Sequence, residues 1–449
     1  MSNTAQLTGF ASYPAYKESG VLWLGEIPSH WEVLRMKFSV ENYSKKVDAQ
    51  SSVFKYLGLE NLESFTGKLI DTESKSEGLA NEFKCNDVLF GKLRPYLSKV
   101  HLAKYDGLVS TEALVFRAQK KLEPNYLFYY CLSPDFINIV NASTFGSKMP
   151  RADWKNISIL PCTIPSIKEQ QAIVQFLDKQ LAYIDALVNK QKQLIKKLAE
   201  QRSAMISHAV TKGLDPNVPM KESGVEWLGK VPEHWIKMSL KYSLDMPITD
   251  GPHETPEILT EGIPFISAEA VKNDKLDFNK KRGYISKDDY DKFSKKYIPK
   301  FGDIYMVKSG ATTGNIAKVE TDIVFNIWSP LAVMRPNKDI VSTNYLFYIL
   351  KSSYFNISVQ LMWNFGTQQN IGMGVLSNIN IICPTLIEQQ KIVDYLDKET
   401  KKIDQITEST TKIITKLQEY RSALITQAVT GKIDVRDLVN NDVEIPLNK

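Results

Sequence analysis

Cysteine is scarce in this 449-residue chain: Cys85, Cys131, Cys162 and Cys383 are scattered and form no C-x-x-C pair. That spacing excludes a disulfide framework and a zinc site built on paired thiolates. The five histidines fall at unrelated intervals and make no metal constellation. No run approaches the roughly 18 consecutive apolar residues of a membrane span. The opening Met-Ser-Asn-Thr-Ala-Gln lacks the charged and apolar regions of a secretory signal, so a cytoplasmic location is expected. Also missing are the G-x-x-x-x-G-K-S/T phosphate loop, G-x-G-x-x-G, the G-x-S-x-G elbow and H-E-x-x-H. The chain is therefore expected to be no enzyme and to carry no cofactor or metal of its own.

What is present is an ordinary globular composition, 43% hydrophobic and 24% charged. At this length a single hydrophobic core is excluded and two or more domains are expected. The net charge of +5 is a weak pointer to nucleic acid until its distribution is known.

An internal repeat decides the organisation. Residues 17–31 read KESGVLWLGEIPSHW and residues 221–235 read KESGVEWLGKVPEHW, an offset of 204. A second match pairs 166–215 with 385–434 without gaps at an offset of 219, with 22 identities in 50 positions. Between these matched ends the copies diverge, leaving echoes such as NYLFYY from Asn125 against NYLFYI from Asn344 and Asn86-Asp87-Val88-Leu89 against Gly302-Asp303-Ile304-Tyr305. A duplicated frame with different contents suits one task performed on two different targets.

The second match has a helical period. Leu177, Leu181, Ile184, Val188, Gln191, Ile195, Leu198, Arg202 and Met205 recur at alternating spacings of four and three. So do Leu396, Thr400, Ile403, Thr407, Thr410, Ile414, Leu417, Arg421 and Leu424. A sustained 3.5-residue period marks a coiled-coil seam. About 42 residues make a helix roughly 60 Å long, which overhangs a body of some 150 residues, so the two helices are expected to pack antiparallel on one another. The bodies mix strand-like runs (Val53–Leu57, Asp87–Phe90, Leu108–Arg117, Ile304–Val307, Ile323–Met334) with one amphipathic helix each, containing Tyr126–Leu132 and Tyr345–Leu350. The fold class is thus α+β (mixed α/β) with a pseudo-two-fold repeat.

Two pairs of polar loops are the candidate contacts to DNA. In the first body Lys92, Arg94, Tyr96, Ser98 and Lys99 follow a strand-like run, and Lys and Arg match the O6 and N7 of guanine. The second body has Lys308, Ser309, Thr312, Thr313 and Asn315 there, with glycines that allow close backbone approach. A further pair of loops offers Ser147, Lys148 and Arg151 in the first body and Thr367, Gln368, Gln369 and Asn370 in the second, Gln and Asn being suited to adenine. Residues 272–300 carry ten Lys or Arg interleaved with Tyr284, Tyr290, Phe293 and Tyr297, a pattern that fits a charged surface helix with core aromatics as well as a phosphate contact. His30 and His234 have no adjacent repeated nucleophile or carboxylate pairing in the sequence, so the tryptophan segments around them read as docking elements. Glu169 and Glu388 lie in a first helical turn, where an acid suits the helix dipole.

KESGVLWLGEIPSHW with its copy, FGKLRPYLSKV followed by STEALVFR, and IPSIKEQQAIVQFLDK with its copy together resemble the DNA-specificity subunits of type I restriction–modification systems. The resemblance covers nearly the whole chain. It implies target-recognition domains at 1–165 and 216–384, spacer helices at 166–215 and 385–434, and a tail at 435–449. It further implies a split double-stranded DNA site and docking of two methyltransferase subunits and of restriction endonuclease subunits, with S-adenosylmethionine, ATP and Mg in those partners. The second body departs from the K-L-R-P loop with KSGATTG. Two other readings remain open: a coiled-coil scaffold, which leaves the divergent bodies unexplained, and a self-sufficient DNA methyltransferase, which lacks its motifs here.

Overall fold

The computed structural model describes residues 10–74, 78–146, 148–361 and 370–438. The chain forms two compact units, one built from the chain up to Lys192 together with Thr411 onward, the other from Gln193–Thr410. Each unit holds one body and half of each long helix, so the packing boundaries fall inside the helices rather than at their ends. Among the described residues no helix is long and apolar enough to cross a membrane, and all four cysteines are free.

The core of the first unit is a four-stranded antiparallel sheet in the order 40–43, 113–118, 88–91, 100–102. The two-residue strand period sends Val88, Phe90, Val100 and Phe116 to a core shared with the helices, while Leu89, Ala113 and Val115 face a second core. That second core lies against a sheet ordered 46–48, 79–83, 107–110, 56–57. Burial on both faces explains the near-continuous apolar run around Val88–Gly91. The second unit repeats the plan: Ile304, Met306, Ala332 and Met334 face the helices, and Tyr305, Val307, Leu331 and Val333 face the other way.

Several expected elements are shorter. Of Val53–Leu57 only Tyr56–Leu57 is a strand, and Val53 is 99% exposed. A turn at Thr111-Glu112 breaks Leu108–Arg117 into Gly107–Ser110 and Ala113–Ala118. Ile323–Met334 likewise yields Asn326–Ile327 and Leu331–Met334. The helices Pro124–Leu132 and Thr343–Lys351 are each followed directly by another, Pro134–Ala142 and Ser353–Leu361. The break is chemical: Ser133 and Ser352 are extended and turn their hydroxyls back to the carbonyls of Tyr130 and Ile349. In 272–300 the α-helix is Lys287–Ser294; a left-handed Asn273-Asp274 turn, a 3-10 turn at Phe278–Lys280 and Gly283 punctuate short strands before it.

The long helices are Ile167–Lys212, 46 residues, and Leu386–Val429, 44 residues, or about 69 and 66 Å. Gly213 and Gly431, both at positive φ, close them. Along the central helix Leu177, Leu181, Ile184, Val188 and Leu198 are buried, with Gln191, Ile195, Arg202 and Met205 partly so. Along the C-terminal helix Leu396, Thr400, Ile403, Thr410, Leu417, Arg421 and Leu424 are buried, with Thr407 and Ile414 partly so. In the first unit the start of the central helix shares a core with the end of the C-terminal one, Leu177–Val188 with Leu417 and Leu424. In the second unit Ile206, Ala209 and Val210 share a core with Ile392, Val393 and Leu396. Start meets end in both units, so the helices pair antiparallel. Thr400 and Thr410 donate to the carbonyls four residues back, which makes them small, satisfied seam residues.

Candidate nucleic-acid interface

The repeated motifs build one scaffold twice. Glu169 accepts from the indole N–H of fully buried Trp31 at 2.9 Å and meets His30 at 3.0 Å; Glu388 does the same for Trp235 at 3.0 Å and His234 at 2.9 Å. These acids therefore dock the tryptophan segments, a role beyond the helix dipole. Gln170 accepts from the Glu123 N–H at the head of a body helix and donates to the Lys121 and Pro165 carbonyls. Gln389 makes the matching bonds to Ser342, Ile340 and Pro384. Tyr129 donates to Asp178, and Tyr348 to Asp397, both at 2.5 Å. Inside each body a bidentate pair crosses the sheet, Arg117 with Asp87 and Arg335 with Asp303.

On this frame the first pair of polar loops converges. Leu93 bridges to Arg151, the Ala152 N–H donates to the Lys92 carbonyl at 2.8 Å, and Arg94 N–H donates to the Pro150 carbonyl at 2.8 Å. Arg94 and Ser98, both left-handed, bracket a short 3-10 turn at Pro95–Leu97. Arg94, Tyr96 and Lys148 are exposed beside exposed Phe145 and Met149, and Lys92 is partly buried. Arg151 is exposed and pairs with Glu112 at 3.1 Å. Two residues depart from the sequence expectation. Ser98 is only 2% exposed because it ends the 3-10 turn, and Lys99 turns its ammonium to the Leu59 carbonyl at 2.5 Å. Ser147 lies outside the described residues.

The second unit places its loops in the same relation. Ser309 bridges to Asn370, and the Ile371 N–H donates to the Lys308 carbonyl at 2.8 Å, as Ala152 does to Lys92. Gly310 and Gly314 adopt φ of 103° and 92°, which the turn demands and which L side chains avoid. Thr312, Asn315 and Asn370 are exposed, while Ser309 and Thr313 are partly buried, Thr313 donating to the Gly310 carbonyl. Lys308 corrects the expectation: it is 9% exposed and pairs with Asp250 at 2.8 Å. Asp250 also binds Lys296 at 2.5 Å and His253 at 3.1 Å. Burial opposes its charge, but the Lys296 and Lys308 hydrogen bonds outweigh this and hold its carboxyl below the usual carboxylate range. Lys308 is thus a strut of the loop rather than its tip. Thr367, Gln368 and Gln369 lie outside the described residues.

Several basic residues of 272–300 have acidic or aromatic partners: Lys287 with Asp291, Lys292 with Glu254, Lys281 over the Tyr284 ring and Arg282 over that of Trp328. Phe293 and Tyr297 are buried, as a core role requires.

The same frame is thus built twice and carries two different loop pairs. The chain belongs to the type I restriction–modification DNA-specificity family, whose domain model matches residues 39–197 and 253–418. It is 25% identical over 426 residues to the specificity subunit of the type I restriction enzyme MjaVIII of Methanocaldococcus jannaschii, covering 92% of this chain and 95% of that protein. To the putative MjaX specificity subunit of the same organism it is 25% identical over 443 residues, covering 92% and 96%. A solved chain from work on complex assembly and conformational transition of a type I restriction–modification system shares the fold, with a TM-score of 0.68 and 20% identity, over 90% of this chain and 98% of that one.

Proposed function

We propose that this chain is the non-catalytic DNA reader of a type I restriction–modification complex in the cytoplasm, recognising a bipartite, asymmetric double-stranded site. Residues 1–165 and 216–384 each read one half. The helical segments 166–215 and 385–434 set the distance between the halves, and 435–449 is a tail. Methyltransferase and endonuclease subunits dock on it and supply the chemistry that uses S-adenosylmethionine, ATP and Mg. Arg94, Lys92, Tyr96, Lys148 and Arg151 contact one half-site; Thr312, Thr313, Asn315, Ser309 and Asn370 contact the other. One observation carries the reading: the two units hold equivalent loop pairs by the same backbone bonds, yet the exposed side chains differ, cationic in one and small and polar in the other.

The test is to co-express the full chain with its methyltransferase subunits and map methylated bases genome-wide, with and without this gene. A single split motif that disappears with the gene, and salt-dependent binding of the purified chain to that duplex, are expected. Methylation that persists unchanged without the chain overturns the reading and favours a scaffold.

A further inference from the structure

Beyond the loops themselves, each unit contains a strut that ties a seam arginine of a long helix to the back of the exposed loop. In the first unit Arg421, 9% exposed, meets Asp185 of the central helix at 3.3 Å. Its two remaining nitrogens donate to the Phe65 carbonyl at 2.8 Å and the Thr66 carbonyl at 3.2 Å. Those carbonyls belong to a turn that is itself constrained. Phe65 is left-handed at φ 66°, and Gly67 at φ 79° leaves no room for a Cβ, which would come within 2.2 Å of the Phe128 ring. Lys68 of the same turn pairs with Asp185 at 2.6 Å, and His101 donates its Nδ1–H to the Gly67 carbonyl at 2.8 Å. On its other side the Phe65 N–H donates to the Ser98 carbonyl at 3.1 Å, at the end of the 3-10 turn that carries Arg94 and Tyr96.

The second unit has the counterpart, offset by the same 219 residues. Arg202 stands 3.5 Å from Asp404 and 3.8 Å from Asp274. Asp274 lies in the left-handed Asn273-Asp274 turn, is also paired with Lys351, and its carbonyl accepts from Lys318 N–H at 3.3 Å, on the strand that leaves the Lys308–Asn315 loop. An exposed aromatic in a strained turn, held by a buried guanidinium, is a costly arrangement that a surface loop does not need for stability alone.

We propose that Arg421 and Arg202 are positioning residues for DNA reading: each fixes one exposed loop to the long helices, so that the loop meets its half-site at a set angle and distance. The inference rests on the reading that these loops contact DNA. Arg421, with two carbonyl bonds, is the tighter strut, and Arg202, acting through one side-chain pair, the looser.

The experiment uses the full chain co-expressed with its methyltransferase subunits and a plasmid library of random duplex sequence, read out as the methylated motif and its gap length. R421A is expected to lose about tenfold or more of its discrimination at the first half-site and to accept a wider range of gap lengths, with the second half-site unchanged. R421K retains one cation for Asp185 but cannot span both carbonyls; it is expected to behave like R421A. R202A is expected to affect the other half-site, more weakly. If R421K reads like the parent, the helix ion pair alone suffices and the strut proposal is overturned. If R421A lowers both half-sites equally, R421K decides: loss confined to the first half-site upholds the strut, and equal loss at both overturns it. Arg94→Ala run alongside separates the premises, because its failure to alter any half-site removes the DNA role of the loop itself.

Discussion

Lys432 donates to the Leu24 carbonyl at 2.8 Å across 408 residues of chain, and Lys212 donates to the Leu228 carbonyl at 3.1 Å across 16. Each ammonium also reaches the backbone two residues further on, at Glu26 and Lys230. Burial lowers the pKa of both lysines below the ordinary lysine value. The end of the central helix runs on in sequence to the tryptophan segment it clasps, whereas the end of the C-terminal helix clasps one at the start of the chain. Ala11 bridges to Asp434 in the same unit.

Removing the carboxylate that holds Trp31 tests the frame. Glu169→Ala leaves the indole N–H buried without an acceptor and should cost about 1–3 kcal/mol, read as a shift in the denaturant midpoint. Glu388→Ala should cost less, because Glu388 is more exposed than Glu169. Equal losses would contradict the difference in burial.

Arg94 is exposed on the first loop, whereas Arg151 pairs with Glu112. Its replacement by Ala should relax or abolish one half-site, by about 1–3 kcal/mol of discrimination, and leave the melting temperature unchanged. A methylated motif altered equally in both halves would assign Arg94 to assembly.

Seven residues inserted in register into both long helices, between Lys192 and Gln193 and between Thr410 and Thr411, should lengthen the spacer by about 10 Å. That is close to three base pairs at about 3.4 Å each, and the half-site sequences should not change. An unchanged gap in the methylated motif would refute the ruler.

His101 gives a pH dependence. Burial lowers its pKa below the ordinary 6.5 and favours the neutral ring in the fold. Between the unfolded and the lower folded value the unfolded chain binds more protons, so stability falls as the pH drops below about 6.5. His101→Gln should flatten that slope between pH 7.5 and 5.5 in thermal melts.

Helix period, repeat and loop pairing were legible because each leaves a pattern in one dimension: Leu177 to Val188 mark the seam by spacing alone, and the Lys92 and Lys308 loops share a preceding strand. Roles that depend on direction were not legible. Nothing local distinguishes Ser98, turned inward by a left-handed backbone, from an exposed serine, or shows that Asp250 captures Lys308. Arg421 reads as one more seam position, since two of its three acceptors are backbone carbonyls 355 and 356 residues away. The split of Ile323–Met334 was hidden because its intervening residues include apolar Trp328 and Pro330. Repetition of Glu-Trp and Asp-Arg at matched offsets was the available signal for the docking pairs, and a search for paired rather than single residues would have found them.

The clips that seat each body, Trp31 to Glu169, Glu123 to Gln170 and Tyr129 to Asp178 in one unit and their counterparts in the other, fall at a few scattered positions, joined in the first unit by Arg421 at the Phe65-Thr66 turn. Outside these fittings and the shared cores, each body presents exposed loop positions that can change without disturbing its seat on the helix. On the proposed reading of those loops, changes confined to such positions would give a lineage a new sequence preference without redesign of the helices that carry them.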